Sequence, residues 1–185
     1  LLKQVNLETP RGQTILSELI EIFETYNMVD MKNKYLSEAK GLKCEINERL
    51  TGTIKSNDDV AVGSKFKNNV FQNGINNAKA KSIYEVKSDK KIIMFWSSSC
   101  SHCVTEMPKL LEKYAQLKSK GVEIIGLSLD SDINAYKDMA NKYPWVNASE
   151  GKGWYSSYAK DYNVHATPSF FILDSNNLII NKPDH

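Results

Sequence analysis

Two of the chain's three cysteines, Cys100 and Cys103, enclose Ser101 and His102. Before them, Ile92-Ile93-Met94-Phe95-Trp96 is a continuous apolar run between charges and serines, which suits a strand buried on both faces. After them, Val104, Met107, Leu110, Leu111, Tyr114 and Leu117 recur at helical spacing, and Gly121 ends the pattern. The pair thus stands where a buried strand hands over to a helix, and residues three apart in a first turn share a face, so the sulfurs can meet. Unpaired backbone N–H groups and the dipole at a helix start favour a thiolate, and an imidazolium at His102 would add to this. Cys100, in the more exposed first position, is therefore the expected nucleophile, with a depressed pKa. Cys103, deeper in the helix, is expected to resolve a mixed disulfide.

Two prolines extend the pattern. Pro108 falls inside the helix, where it is expected to kink it. Thr167-Pro168 stands directly before the apolar run Ser169 to Leu173, where a proline is acceptable only at the start of a strand. Other chemistries use some of the same residues. Cys100 and Cys103 with His102 or His165 could offer soft ligands to Cu(I) as a metal carrier, although the spacing is tight for that role. A peroxide-reducing thiol is a third reading, but Ser97-Ser98-Ser99 lacks the proline and arginine that a peroxidatic pocket would want. A structural zinc site would need a four-ligand pattern that three cysteines do not make. Among the remaining candidates, His165 reads as a loop histidine bonded to a backbone group. Cys44 reads as an inert thiol off the apolar face of a helix, Trp145, Trp154, Tyr155 and Tyr158 as packing residues, and His185 has no assigned role.

The elements that hold these residues follow from periodicity and turn signals. Thr9-Pro10 is an N-cap followed by proline at the first helical position, opening an amphipathic helix to about Asn27. A second apolar series, Met31 to Leu50, gives another helix or two, with a break at Thr51-Gly52. Lys55 to Asp59 is polar and marks a boundary between a helical N-terminal unit, 1–58, and a second domain, 59–185. In that domain Val60-Ala61-Val62 and Lys67 to Phe71 read as short strands, Asn73-Gly74 as a turn, and Ser82 to Val86 as a weak alternation. Val122 to Leu129 is a second buried strand. Asp130-Ser131-Asp132 then caps a helix carrying Ile133, Tyr136, Met139 and Ala140 that Pro144 stops. A glycine-flanked loop and a short aromatic helix lead to a hairpin of Ser169 to Leu173 with Leu178 to Ile180. Strands alternating with helices and closing on a hairpin indicate an α/β domain with a mixed sheet.

Composition narrows the function classes. The 185 residues are 41% hydrophobic and 25% charged, enough for a core without staples. Lys+Arg 24 against Asp+Glu 22 leaves +2, with no basic run interleaved with aromatics, so nucleic acid is not an expected partner. No apolar stretch approaches the roughly 20 residues of a membrane span. The opening Leu1-Leu2-Lys3 reads as that of an excised or processed piece.

Taken together, Phe95-Trp96-Ser97-Ser98-Ser99-Cys100-Ser101-His102-Cys103-Val104-Thr105-Glu106-Met107-Pro108 resembles the active-site segment of the thioredoxin superfamily. Glu106-Met107-Pro108 directs the likeness to its TlpA/ResA branch of extracytoplasmic thiol:disulfide oxidoreductases. Val164 to Leu173 resembles that family's cis-proline strand, and Asp130 to Tyr162 its central helix insertion. The resemblance covers about Val60 to Ile180. It implies a thioredoxin-like mixed sheet flanked by helices and a cis Thr167-Pro168 bond beside the cysteines that offers backbone hydrogen bonds to a substrate chain. It further implies that Glu106, one turn beyond Cys103, exchanges a proton with its thiol, that Trp96 packs beneath the site, and that Trp96, His102, Thr167 and Pro168 serve substrate binding. No cofactor is implied. The partners are a protein disulfide and a second redox protein that resets the pair, in an extracytoplasmic setting such as a bacterial periplasm, with the branch mostly reductive. Two departures stand out: Ser99 replaces the tryptophan usual before the first cysteine, and Met94 occupies the place of thioredoxin's buried acid. A third is that the family's closing helix has no counterpart before His185.

Overall fold

The computed structural model describes residues 5–183. Leu1 to Lys3 and His185 lie outside the described residues. The chain divides into two compact units, Leu1–Asp59 and Val60–His185.

Three helices build the first unit: α1 Pro10–Thr25, α2 Val29–Lys40 and α3 Glu48–Asp59. Thr9 caps α1, its hydroxyl accepting from the Gly12 N–H at 3.1 Å, with Pro10 supplying a preset φ at the next position. Leu16, Ile20, Ala39 and Leu50 form the small core, with Tyr35, Leu36 and Ile54 packed against it. The expected break at Thr51-Gly52 is not there, and Lys55 to Asp59, where the sequence marks a domain boundary, is the last part of α3. Asn47 starts α3 by accepting from the Leu50 N–H at 2.9 Å, and Leu50 and Ile54, four apart, hold one face on the core. Gly52 faces open space, so it costs only the roughly 1 kcal/mol of helix propensity that this packing overrides. The true interruption is the stretch between α2 and α3. There the buried Gln13 amide donates to Cys44 Sγ at 3.3 Å and to the Glu45 carbonyl at 3.0 Å, and accepts from the Asn47 N–H at 2.7 Å. Cys44 accordingly sits in a connection, not on a helix as the sequence pattern implied.

In the second unit, β1 Lys90–Trp96, β2 Val122–Ser128, β3 Val146–Ser149, β4 Ser169–Asp174 and β5 Ile179–Asn181 form a sheet ordered β3-β2-β1-β4-β5. The pairs β1/β2 and β2/β3 are parallel, while β1/β4 and β4/β5 are antiparallel. Alternation along β1 sends Ile93 and Phe95 to one face and Met94 and Trp96 to the other. The Met94 face is covered by α4 Ser101–Ser119 and α5 Ile133–Ala140, through Met107, Tyr114, Tyr136 and Met139. The opposite face is covered by α6 Ser157–Asp161 and the chain from Val60 to Val86.

Val60 to Val62 and Lys67 to Phe71 are not strands. That stretch crosses the sheet face as irregular chain with isolated bridges such as Lys65 to Leu178, and Ile83–Glu85 is a single 3₁₀ turn. Its backbone is satisfied by side chains from α6 and the residue after it. Tyr158 donates to the Val70 carbonyl at 3.1 Å and Tyr162 to the Lys67 carbonyl at 2.8 Å, while Phe66, Phe71 and Ile83 fill the space below. Strand β3 carries no sequence signal, because four residues after Pro144 are too few to show a period. Helix α4 runs unbroken through Pro108. Among the described residues no helix is long and apolar enough to cross a membrane.

Candidate active site

Cys100 is the N-cap residue of α4, in an extended conformation, so its side chain turns back over the first helical turn. Its sulfur accepts from the Cys103 N–H at 3.2 Å, and the thiol reaches the Thr167 carbonyl, also at 3.2 Å. Thr167-Pro168 is cis, and it brings the start of β4 against the helix start. Cys100 is half-buried, Cys103 fully buried, and both are free thiols.

Their environments push the two thiols apart. Burial raises the Cys100 thiol, but hydrogen bonds from Cys103 and Thr167 and from the backbone of Cys103 and His102 outweigh it and hold the group below its ordinary value. Cys103 is pushed up to about 12, chiefly by burial and then by its hydrogen bond to Cys100. The arrangement therefore offers one accessible, acidic thiol backed by one that stays protonated until something takes its proton.

Glu106, His102, Thr167 and Pro168 all line one cleft of about 560 Å³, whose remaining wall is apolar, from Ile92, Leu110, Phe170 and Ile172. Glu106 makes its polar contact on the surface of α4. Its carboxylate is about half exposed and takes the Lys109 ammonium at 2.7 Å. Trp96, grouped by the resemblance with the substrate-binding residues, has no exposed surface and cannot touch a substrate. It packs beneath the site with Cys103 and Met107 and against Tyr136 at 5.9 Å between ring centroids. His165 is bonded to the Asn163 side chain at 3.0 Å, not to a backbone group. Among the described residues, no three of His, Cys, Asp or Glu stand together as a group that could hold a metal ion.

The sequence pattern shows Asp130 only as part of a helix cap. In the structure Asp130, directly beyond β2, is buried and accepts from the Ser97 hydroxyl at 2.8 Å, the Ser98 hydroxyl at 2.8 Å, the Ser98 N–H at 3.0 Å and the Ser128 hydroxyl at 2.7 Å. The cap itself is made by Asp132, which accepts from the Asn134 and Ala135 N–H groups. The only sequence signal for Asp130 is a lone acid closing an apolar run opposite a serine triplet.

Residues 88–179 match the family model described as Thioredoxin-like. The chain is similar to the thiol-disulfide oxidoreductase ResA of Bacillus cereus, 30% identical over 99 residues, which are 53% of this chain and 56% of that protein. It thus spans little more than half the length of the curated relatives it matches first. Among solved structures it resembles the thioredoxin domain of a thiol-disulfide oxidoreductase from Bacteroides vulgatus, with 25% identity, 68% of this chain and 89% of that one covered, and a TM-score of 0.57. A thioredoxin-like protein from Bacteroides caccae covers 100% of this chain and 76% of its own at 16% identity and a TM-score of 0.58, a likeness of fold.

Proposed function

We propose that this chain, whose residues 88–179 match the Thioredoxin-like family model, is a thiol:disulfide oxidoreductase that reduces disulfides in protein substrates with the Cys100-Ser101-His102-Cys103 pair. The observation that carries this reading is the division of labour between the sulfurs. Cys100 is acidic and reachable at a helix start, and Cys103 is buried behind it within one helical turn. The Cys100 thiolate attacks one sulfur of the substrate disulfide, forming a mixed disulfide and expelling the other sulfur as a thiolate that takes a proton. Cys103 then loses its proton and attacks Cys100 Sγ. The Cys100–Cys103 disulfide forms, the second substrate thiol leaves, and two electrons have passed to the substrate. A dithiol redox protein returns the pair to its reduced state.

A polypeptide substrate fits the surroundings. The Thr167 carbonyl and the cis-proline offer an edge beside the reacting sulfur, and the apolar cleft next to it can hold side chains flanking the substrate cysteine. His102 and Glu106 stand at the rim of that cleft, where the first supports the thiolate and the second supplies or receives protons through water. Stabilising the thiolate makes the couple more oxidising, yet the TlpA/ResA likeness favours reduction, which we adopt as the direction. A disulfide-reducing enzyme has substrates where disulfides persist, consistent with an extracytoplasmic setting. The test is insulin reduction. Cys100→Ser should abolish it, and Cys103→Ser should accumulate a mixed disulfide; unchanged reduction in both variants would remove the proposed mechanism.

A further inference from the structure

The reaction needs Cys103 to meet Cys100 Sγ in line, and the loop between β1 and α4 controls that approach. Ser97 accepts the Cys100 N–H at 3.1 Å through its carbonyl, and its backbone faces the Cys103 thiol, whose thiolate it favours. Within the loop the Ser97 hydroxyl meets that of Ser99 at 2.9 Å and accepts the Ser99 N–H at 3.3 Å. What ties the loop to the neighbouring strand of the sheet is Asp130, reaching across from just beyond the end of β2. The carboxylate takes both the hydroxyl and N–H of Ser98 and the hydroxyl of Ser97, and is itself fixed by Ser128, whose Oγ accepts from the Asp130 N–H at 3.0 Å. Hydrogen bonds in a buried site are hard to replace, and several converging on one side chain leave the loop a single arrangement.

We propose that Asp130 is a positioning residue for the second half of the reaction: by clamping Ser97 and Ser98 it fixes the backbone that faces Cys103 and so sets the rate at which Cys103 resolves the mixed disulfide. This role rests on the redox reading above. It assigns no contact with substrate to Asp130. The clamp reaches Cys100 only through its backbone N–H; the sulfur that makes the first attack is held by the Cys103 N–H and the Thr167 carbonyl, neither of which Asp130 touches.

The two steps can be timed separately with Ellman's disulfide on the reduced protein in a Cys44→Ser background. Cys100 attack forms the mixed disulfide and releases one thionitrobenzoate anion. Attack of the Cys103 thiolate on Cys100 Sγ then forms the intramolecular disulfide and releases a second. Asp130→Ala should slow the second release about tenfold, roughly the worth of one hydrogen bond, and leave the first within about twofold. Asp130→Asn keeps an acceptor oxygen toward the serines and should stay within about threefold of the parent in both. An Asp130→Ala protein with native near-ultraviolet circular dichroism that releases both at parental rates, or slows both alike, would overturn the proposal. So would Asp130→Asn as slow as Asp130→Ala, which would assign the effect to charge. Should Asp130→Ala not fold, Ser97→Ala decides, since it removes one strand of the clamp. Slowing of its second release alone supports the clamp, and a parental rate overturns it. A parent protein that never gives the second release would refute the redox reading itself, a result distinct from any of these.

Discussion

Alkylation should discriminate sharply between the two thiols. Cys103, at about 12, has roughly one molecule in 10⁵ as thiolate at pH 7, whereas Cys100, below its ordinary 9.0, has more than about one in a hundred. The thiolate populations thus differ by at least about 10³-fold. Part of this is returned because a more basic thiolate is a better nucleophile. With a Brønsted slope of about 0.45 over roughly three units the compensation is about 20-fold, leaving a preference of some 50-fold for Cys100. Complete burial of Cys103 can only widen it. The assay is limited iodoacetamide treatment of the reduced protein at pH 7, with peptide mass spectrometry to separate Cys44, Cys100 and Cys103. Repetition in Cys100→Ser measures Cys103 alone, and a pH series locates the Cys100 inflection. Comparable modification of Cys103, or a Cys100 inflection at or above 9.0, would refute the assignment of nucleophile and resolver.

Three further expectations concern the scaffold. Gly126→Ala should destabilise the second domain by about 1–3 kcal/mol in denaturant unfolding, because a Cβ there would stand 2.1 Å from Asn147 Oδ1 and 2.8 Å from Trp96 Nε1 under the active site. Wild-type stability would show that β2 relaxes freely. Thr9→Ala should cost the helical unit about 1 kcal/mol by removing the α1 cap, read from its unfolding midpoint. Lys91 is buried, donates to Asn177 Oδ1, and has its pKa lowered by burial and then by Lys87. The unfolded chain therefore binds more protons than the folded one between the lowered value and the ordinary 10.5, so this group makes stability rise with pH across that window. The unfolding midpoint of wild type relative to Lys91→Met should climb from pH 7 to pH 10; a flat difference would contradict the shift.

What could be read from the sequence was local. Strand β1, the start of α4 and the Thr167-Pro168 entry to β4 each announce themselves within a few residues, and these are the parts that bring Cys100, Cys103 and the cis-proline together. What could not be read depends on partners far along the chain. The stretch from Val60 to Val86 lies flat against the sheet because tyrosines about ninety residues later take its carbonyls, which no strand pattern reports. Helix α3 continues through Gly52 because Leu50 and Ile54 find a core. Glu106 shares the helix with Cys103 yet pairs with Lys109, and Asp130, a cap by its sequence pattern, closes on serines over thirty positions away. Burial likewise decides Trp96: the side chain is near the site, but under it.

The most direct test is the equilibrium between the Cys100–Cys103 dithiol and its disulfide, titrated against glutathione or dithiothreitol and read by thiol trapping. A disulfide reductase of this design should show a single reversible two-electron couple confined to these two cysteines, with a potential on the reducing side, near the thioredoxin level of about −270 mV. Absence of a reversible couple, or a potential near the strongly oxidising level of about −120 mV, would contradict it.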